Sequence, residues 1–251
     1  MRILQLNVWM GKIEGNLRRF LEQNDFDIIC MQEVMASEDT ATHLSRLCFD
    51  KSGIIKASRM PYSFFAPNWS SKIADGSFEL GNLILSKIPF SMQTSEFIHG
   101  EYRENVVLSK QPANCLNIQV ARLKTGMIIV NHHGFWRPNE MGDEESVKAF
   151  RKVAEVVQGY NHEPLVMCGD LNLVHAAPAM RALDFLHDLT DEYHINNTLS
   201  GLKYNGQVAC DHILVNDQIK VNDFQVLDDL LSDHLALAAE VEIVPTTESM
   251  L

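Results

Sequence analysis

Val166-Met167-Cys168-Gly169-Asp170-Leu171-Asn172-Leu173 is the stretch from which the fold is read. An apolar run reaches Cys168, then come a glycine, a carboxylate and, two residues on, an amide. Side chains alternate along an extended backbone, so this spacing puts Asp170 and Asn172 on one side. Residues 165–168 have the length and apolar content of a strand buried on both faces, which places Asp170 at the rim of a sheet where the strand runs out. A rim carboxylate beside an amide suits holding a water or a phosphoryl oxygen. Taken alone, Gly-Asp reads first as an ordinary turn, and the rest of the chain has to decide.

Working outward, Met127-Ile128-Ile129-Val130-Asn131 ends in His132-His133-Gly134, and a helix is expected over residues 143–158. Val147, Phe150, Ala154 and Val157 lie at helical spacing, with acidic residues in the first turn where the helix dipole favours them. The unit is strand, helix, strand, with His133 and Asp170 at the two strand exits. The chain opens in the same way. A strand over residues 3–8 runs into Asn7-Val8-Trp9-Met10-Gly11. A helix follows over residues 12–24 on Ile13, Leu17, Phe20 and Leu21, and an apolar strand over residues 26–31 stops at Gln32-Glu33. We read this as a weak internal repeat. Between the copies, a second helix is expected within residues 37–48 and an aromatic-rich strand and turn over 60–68. Short strands are expected over 79–86, 90–98, 105–110 and 115–123, in the spacing of a β-sandwich. Two such units packed face to face make an α/β fold: a four-layer α/β/β/α sandwich of two mostly antiparallel sheets with outer helices.

The last third brings further polar groups to the same rim. A strand over residues 207–215 carries Asp211 near its beginning, and Ser232-Asp233-His234 precedes a final strand over 235–243. Antiparallel neighbours bring the start of one strand to the end of the next, so Asp211, Asp233 and His234 can join Asn7, Glu33, His133 and Asp170. The carboxylates of Glu33, Asp170, Asp211 and Asp233 gathered there would repel by roughly 4 kcal/mol per close pair at an intermediate dielectric. A cation is needed to offset this, and oxygen ligands select a hard ion, Mg²⁺ or Mn²⁺. A carboxylate on one nitrogen of His234 would fix the ring and leave the other nitrogen facing a substrate, and Asp211 is the expected partner.

Composition bounds the partners. At 251 residues, with hydrophobic content of 46%, one domain spanning residues 1–251 is expected. The formal net charge of −12 disfavours tight duplex binding, which draws on a basic surplus. Lys51, Lys56 and Arg59 fall close together but read as a solvated surface. The start of the chain shows no secretion signal, no run reaches membrane-spanning length, and the scattered cysteines read as buried reduced thiols. A cytoplasmic monomer without membrane contact is therefore expected. Six further histidines, His175 and His187 among them, read as surface or satisfied core residues, and Trp136 as packing under a loop.

Several motifs now stand in order: Leu6-Asn7-Val8-Trp9, Met31-Gln32-Glu33-Val34, Gly81-Asn82-Leu83-Ile84-Leu85-Ser86-Lys87, Asn131-His132-His133-Gly134, Gly169-Asp170-Leu171-Asn172, Cys210-Asp211-His212-Ile213-Leu214 and Ser232-Asp233-His234. Together they resemble the endonuclease/exonuclease/phosphatase superfamily, the deoxyribonuclease-I-like group, from residue 3 to about 243. The resemblance implies metal-dependent hydrolysis of a phosphate mono- or diester by in-line attack of water. It implies Glu33 as principal metal ligand with Asn7 and Asp233 supporting. Asp170, assisted by Asn172, would orient or deprotonate the water. His133 and His234 would act on the phosphoryl oxygens, with Asp211 orienting His234. Arg103 and Asn82 are further candidates for phosphate contact. The implied substrate is a small phosphoester or a nucleic-acid end, short or single-stranded. The chain departs from the pattern in having Trp9 where some relatives have a second acid, His132 before the motif histidine, and His212 where many relatives have an aromatic residue. The competing reading is a member kept as a binding or regulatory module without turnover.

Overall fold

The computed structural model describes residues 1–37, 48–73, 76–107, 114–202 and 207–245. In chain order the elements are β1 (Arg2–Asn7), α1 (Glu14–Gln23), β2 (Ile28–Ser37), α2 (Lys51–Ser58), β3 (Tyr62–Ile73), β4 (Gly76–Ser86), β5 (Phe90–His99) and β6 (Leu116–Leu123). Then follow β7 (Ile128–His132), α3 (Glu144–Gln158), β8 (Leu165–Asp170), β9 (His187–Asp188), α4 (Leu189–Glu192), β10 (Asp211–Val215), β11 (Ile219–Leu227) and β12 (Ala236–Ile243).

The strands form two six-stranded sheets, ordered β11-β12-β1-β2-β4-β3 and β5-β6-β7-β8-β10-β9. Read position by position, the sheets repeat one another. Each has a single parallel pair at its centre, β1 with β2 and β7 with β8, flanked by antiparallel neighbours. A parallel pair needs a crossover, and α1 and α3 supply it. The repeat suspected from the two strand-helix-strand units thus extends to the whole sheet order.

Strand alternation decides what faces what. In β1, Leu4 and Leu6 pack under α1 and α2 with Leu17, Leu21 and Ile54. Ile3 points the other way, into the layer between the sheets, where it meets Ile28, Cys30, Ile129, Val166, Cys168 and Ile213. On the far side α3 lays Phe150, Val153 and Val157 on Val130, Leu165 and Met167. Burial of a side chain such as Phe150 contributes about 1.5–3 kcal/mol. Asp143 caps α3, accepting from the backbone N–H groups of Glu145 and Ser146 in a reciprocal capping box. The order of layers is helix, sheet, sheet, helix, as the sequence led us to expect.

Four local expectations need correction or placement. Residues 105–107 are turn and coil, with the Val106 N–H given to the Ser70 carbonyl; the rest of the expected strand over 105–110 lies outside the described residues. Residues 69–73 and 76–78, left between the strands expected over 60–68 and 79–86, belong to the β3–β4 hairpin. The polar edge strand β11 and the helix α2 were unforeseen; Lys51 and Arg59 serve this region by lying over the Phe65 ring and by donating to the Glu22 carbonyl. The helix expected within residues 37–48 falls almost wholly outside the described residues. Among the described residues no helix is long and apolar enough to cross a membrane.

Candidate active site

Glu33 was expected at a strand exit, yet β2 continues to Ser37. The pairing of β2 with β4 shifts between Met31 and Val34, and Glu33 sits in this bulge with φ of 54°. A regular strand would send Gln32 and Glu33 to opposite faces. The bulge turns both toward the second sheet: Gln32 Nε2 donates to Asn131 Oδ1 at 2.6 Å, and Glu33 Oε1 accepts from Asn7 Nδ2 at 3.3 Å. A left-handed non-glycine residue costs about 1–3 kcal/mol, and this cost is what aims the carboxylate.

Asp170 ends β8 at the centre of the cluster. Its Oδ1 accepts the Asn172 N–H at 3.0 Å, and its Oδ2 accepts Asn7 Nδ2 at 3.0 Å. His133 Nε2 stands 3.5 Å and His234 Nε2 3.7 Å from the same Oδ2. Those separations hold ion pairs but exceed a good N–H···O hydrogen bond, so both imidazoles can turn donors toward a bound oxygen. Burial raises the Asp170 pKa, but the His234 and His133 charges outweigh it and hold the carboxyl well below its usual range. Burial likewise opposes charge on His133 and His234. Against it, Asp170 and Glu33 raise His133, and Asp211 and Asp170 hold His234 well above the ordinary histidine value.

β10 runs antiparallel to β8 with Asp211 opposite Asp170. As expected, Asp211 is the partner of His234, its Oδ2 accepting from Nδ1 at 2.8 Å. Two residues that sequence reasoning missed fix this carboxylate. Thr198 Oγ1 donates to Oδ2 at 2.7 Å, and Gln5 Nε2, from the opposite sheet, donates to Oδ1 at 3.0 Å. Gln5 could have been suspected, because it alternates with Asn7 on β1. Thr198 carries no such signal.

The two adjacent histidines separate cleanly. His132 is fully buried against Phe150, its Nδ1 facing the Asn117 carbonyl, and burial pushes it down to about 4. His133 faces Asp170. Asn172 Nδ2 reaches across to the Gly134 carbonyl at 3.2 Å, tying the Asp170 turn to the His133 loop. Asp233 is buried, with the Ser232 hydroxyl on its Oδ1 at 3.1 Å. Asn82 and Arg103 do not join the cluster. Asn82 is wholly buried and gives its amide N–H groups to Asn117, while Arg103 is exposed where its backbone bridges to Trp69.

Cys210 was also missed. Its sulfur lies with an Asp170 oxygen and a His234 nitrogen in a group whose atoms are all within 4.8 Å of one another. Burial and the charges of Asp170 and Asp211 push the thiol up to about 12, so it stays protonated and is a poor soft ligand. A cleft opens beside this group, lined by Trp136, Arg137, Leu199, Val208, Asn172 and His234. Trp136, read from sequence as packing, is 44% exposed there.

A helix-sheet-sheet-helix sandwich with carboxylates and imidazoles at one sheet rim defines the class of protein. The model of the Endonuclease/Exonuclease/phosphatase family matches residues 4–234, and the chain belongs to this family. No curated protein matches the sequence. Among solved structures, the chain is similar to mannosyl-6-phosphatase from Bacteroides thetaiotaomicron VPI-5482, at 15% identity and a TM-score of 0.66, covering 97% of this chain and 100% of that one. It is also similar to the human Nocturnin catalytic domain, at 16% identity and a TM-score of 0.66, covering 97% and 94%. An AP endonuclease from Archaeoglobus fulgidus is similar at 18% identity and a TM-score of 0.64, covering 97% and 100%. At these identities the likeness is one of fold.

The donor set fits a hard divalent cation. Among the described residues no Lys or Arg pairs with Glu33 or Asp170, and the charged ligands at hand are carboxylate oxygens. Asn7 supports such a site indirectly: its Oδ1 takes the Trp9 N–H, and its Nδ2 holds Glu33 and Asp170.

Proposed function

We propose that the chain is a divalent-metal-dependent phosphoesterase that hydrolyses a phosphate mono- or diester by in-line attack of water. The observation that carries this reading is the convergence of His133 and His234 on Asp170, with Glu33 joined to the same carboxylate through Asn7. Glu33, supported by Asp233 and by Asn7, would hold Mg²⁺ or Mn²⁺. When bound, the ion supplies Lewis-acid stabilisation of charge on the phosphoryl and leaving oxygens.

The chain's own residues do the rest. Asp170, ionised and locked by Asn172 and Asn7, orients the attacking water and accepts its proton as charge leaves the oxygen. His133 and His234 donate hydrogen bonds to phosphoryl oxygens, where fixed donors act most strongly on the transition state. Asp211 keeps His234 protonated and correctly turned. The acidic balance and the cleft beside His234 favour a small phosphoester or a nucleic-acid end as substrate, and one protein of similar fold is a mannosyl-6-phosphatase.

Purified protein given a chromogenic phosphodiester and a monoester should turn over with Mg²⁺ or Mn²⁺ and stop with chelator. Asp170→Ala serves as the control for contaminating hydrolases. Metal-independent turnover that Asp170→Ala abolishes would overturn the metal requirement, and no turnover on a broad panel of esters would leave the silent binding module as the better account.

A further inference from the structure

A second buried polar group lies behind the rim cluster, on the opposite face of β10. Asp211 faces the site, and His212, the next residue, points away from it and is wholly buried. Its Nδ1 lies 2.9 Å from Asp188 Oδ2 and 3.1 Å from Oδ1, and its Nε2 lies 2.8 Å from the Leu173 carbonyl oxygen. A carbonyl oxygen can only accept, so Nε2 carries a proton. Asp188 also receives the Thr190 N–H on Oδ1 at 3.1 Å and His175 Nδ1 on Oδ2 at 2.9 Å. A carboxyl group surrounded by donors is ionised, and a carboxylate can only accept, so Nδ1 carries a proton as well.

We infer that His212 is a buried imidazolium that acts as a positioning residue: neutralised by Asp188, it clamps the Leu173 carbonyl and so sets the turn that carries Asp170 and Asn172. The Leu171 N–H on the Cys210 carbonyl at 2.8 Å and the Val174 N–H on the Glu140 carbonyl at 3.0 Å tie the turn on either side of Leu173, and His212 holds the carbonyl between them. Leu173 follows Asn172, whose N–H holds Asp170 and whose amide holds the His133 loop at Gly134, so a shift at Leu173 reaches both catalytic groups. The same segment braces the other side of the site, because Thr190 Oγ1 donates to the Asp211 carbonyl at 3.0 Å. A side chain that donates in two directions from a rigid ring is what this geometry requires, and a neutral imidazole has one donor. A buried ion pair is a weak source of stability, which makes fixed geometry the better reason for it. The charged and titratable groups facing His212 are Asp188, His175 beyond it on the turn after β8, and Asp211 on its own strand; Gly169, opposite it on β8, has none.

The consequence for turnover rests on the phosphoesterase reading, while the charge state and the clamp do not, and the experiment separates them. Nitrogen-15 NMR of the histidine rings in the wild-type protein should show both His212 nitrogens protonated from about pH 6 to pH 8. A single protonated nitrogen overturns the imidazolium. In His212→Gln and Asp188→Asn, hydrogen exchange at the Asn172 amide should accelerate by about tenfold or more relative to the β8 amides. Unchanged exchange in folded variants overturns the clamp whatever the rates do. With bis(p-nitrophenyl) phosphate or p-nitrophenyl phosphate and Mg²⁺, kcat of either variant should fall by about 10- to 100-fold with KM within about twofold. A folded variant that keeps wild-type kcat overturns the positioning role. If the wild-type protein hydrolyses neither probe, the phosphoesterase reading fails, and the ring protonation and Asn172 exchange still decide this inference. If neither variant folds, the wild-type NMR decides it.

Discussion

His234 gives its Nδ1 proton to Asp211 at 2.8 Å, and the other strong contacts of that carboxylate come from Gln5 in the opposite sheet and Thr198 in the preceding loop. The orientation of one imidazole is therefore set by both halves of the sandwich. Asp211→Asn keeps the volume and removes the charge that holds His234 protonated. We expect kcat on a chromogenic phosphoester to fall by about 10²- to 10⁴-fold with the thermal midpoint little changed. A loss under threefold would remove Asp211 from the mechanism.

The pH profile follows from the shifts at the cluster. His133 and His234 both lie above the ordinary histidine value of 6.5, so each imidazolium is present below its raised pKa and is lost only as pH rises through it. Asp170 lies below the ordinary 3.8, so its carboxylate persists until pH falls beneath that value. Plotted against pH, kcat/KM should stay level through the usual histidine range and fall on the alkaline side above it. A rise centred near 6.5 as the pH increases would show that neutral imidazoles are the working form.

Metal removal can be read without substrate. A cation that binds only the folded chain stabilises it by about 2.7 kcal/mol at a hundred times its dissociation constant. The thermal midpoint of the wild-type protein should rise with Mg²⁺ or Mn²⁺ and return with chelator, whereas Glu33→Ala should show a flat titration. An equal rise in both proteins would place the ion elsewhere.

The His133 loop and the Asp170 turn approach each other with no room between them. A Cβ added at Gly134 would lie 2.1 Å from the Leu171 carbonyl oxygen, and one at Gly169 would lie 2.1 Å from that of His132. Gly134→Ala must push the His133 loop from the Asp170 turn. We expect a stability loss of about 1–3 kcal/mol in urea unfolding and a fall in kcat larger than any change in KM. Wild-type kinetics in Gly134→Ala would mean that the separation of these loops is not critical.

Much of this arrangement was legible in the linear chain. Hydrophobic period marked both strand-helix-strand units, and the polar residues closing their strands, Asn7, His133 and Asp170, mark the rim where the side chains meet. Bringing Asp211 to the rim that holds Asp170 followed from antiparallel pairing, while the register that sets the two opposite each other came from the structure. Glu33 was found as a residue but misplaced as a strand end, because a bulge leaves no mark in composition; it exists only when β2 is paired with β4. Asn82 sits in a motif and yet its amide serves Asn117 in the interior.

What the sequence alone determined was the two strand-helix-strand units and the identity of the acids and imidazoles, because alternation and turn chemistry act over a few residues. Tertiary structure decided which of His132 and His133 faces the site, that Gln5 and Thr198 hold Asp211, and that His212 turns its back on Asp211 to grip Asp188 and Leu173. These are contacts between residues far apart along the chain. Only the stacking of one sheet on the other, and the side of each strand left facing it, sets them.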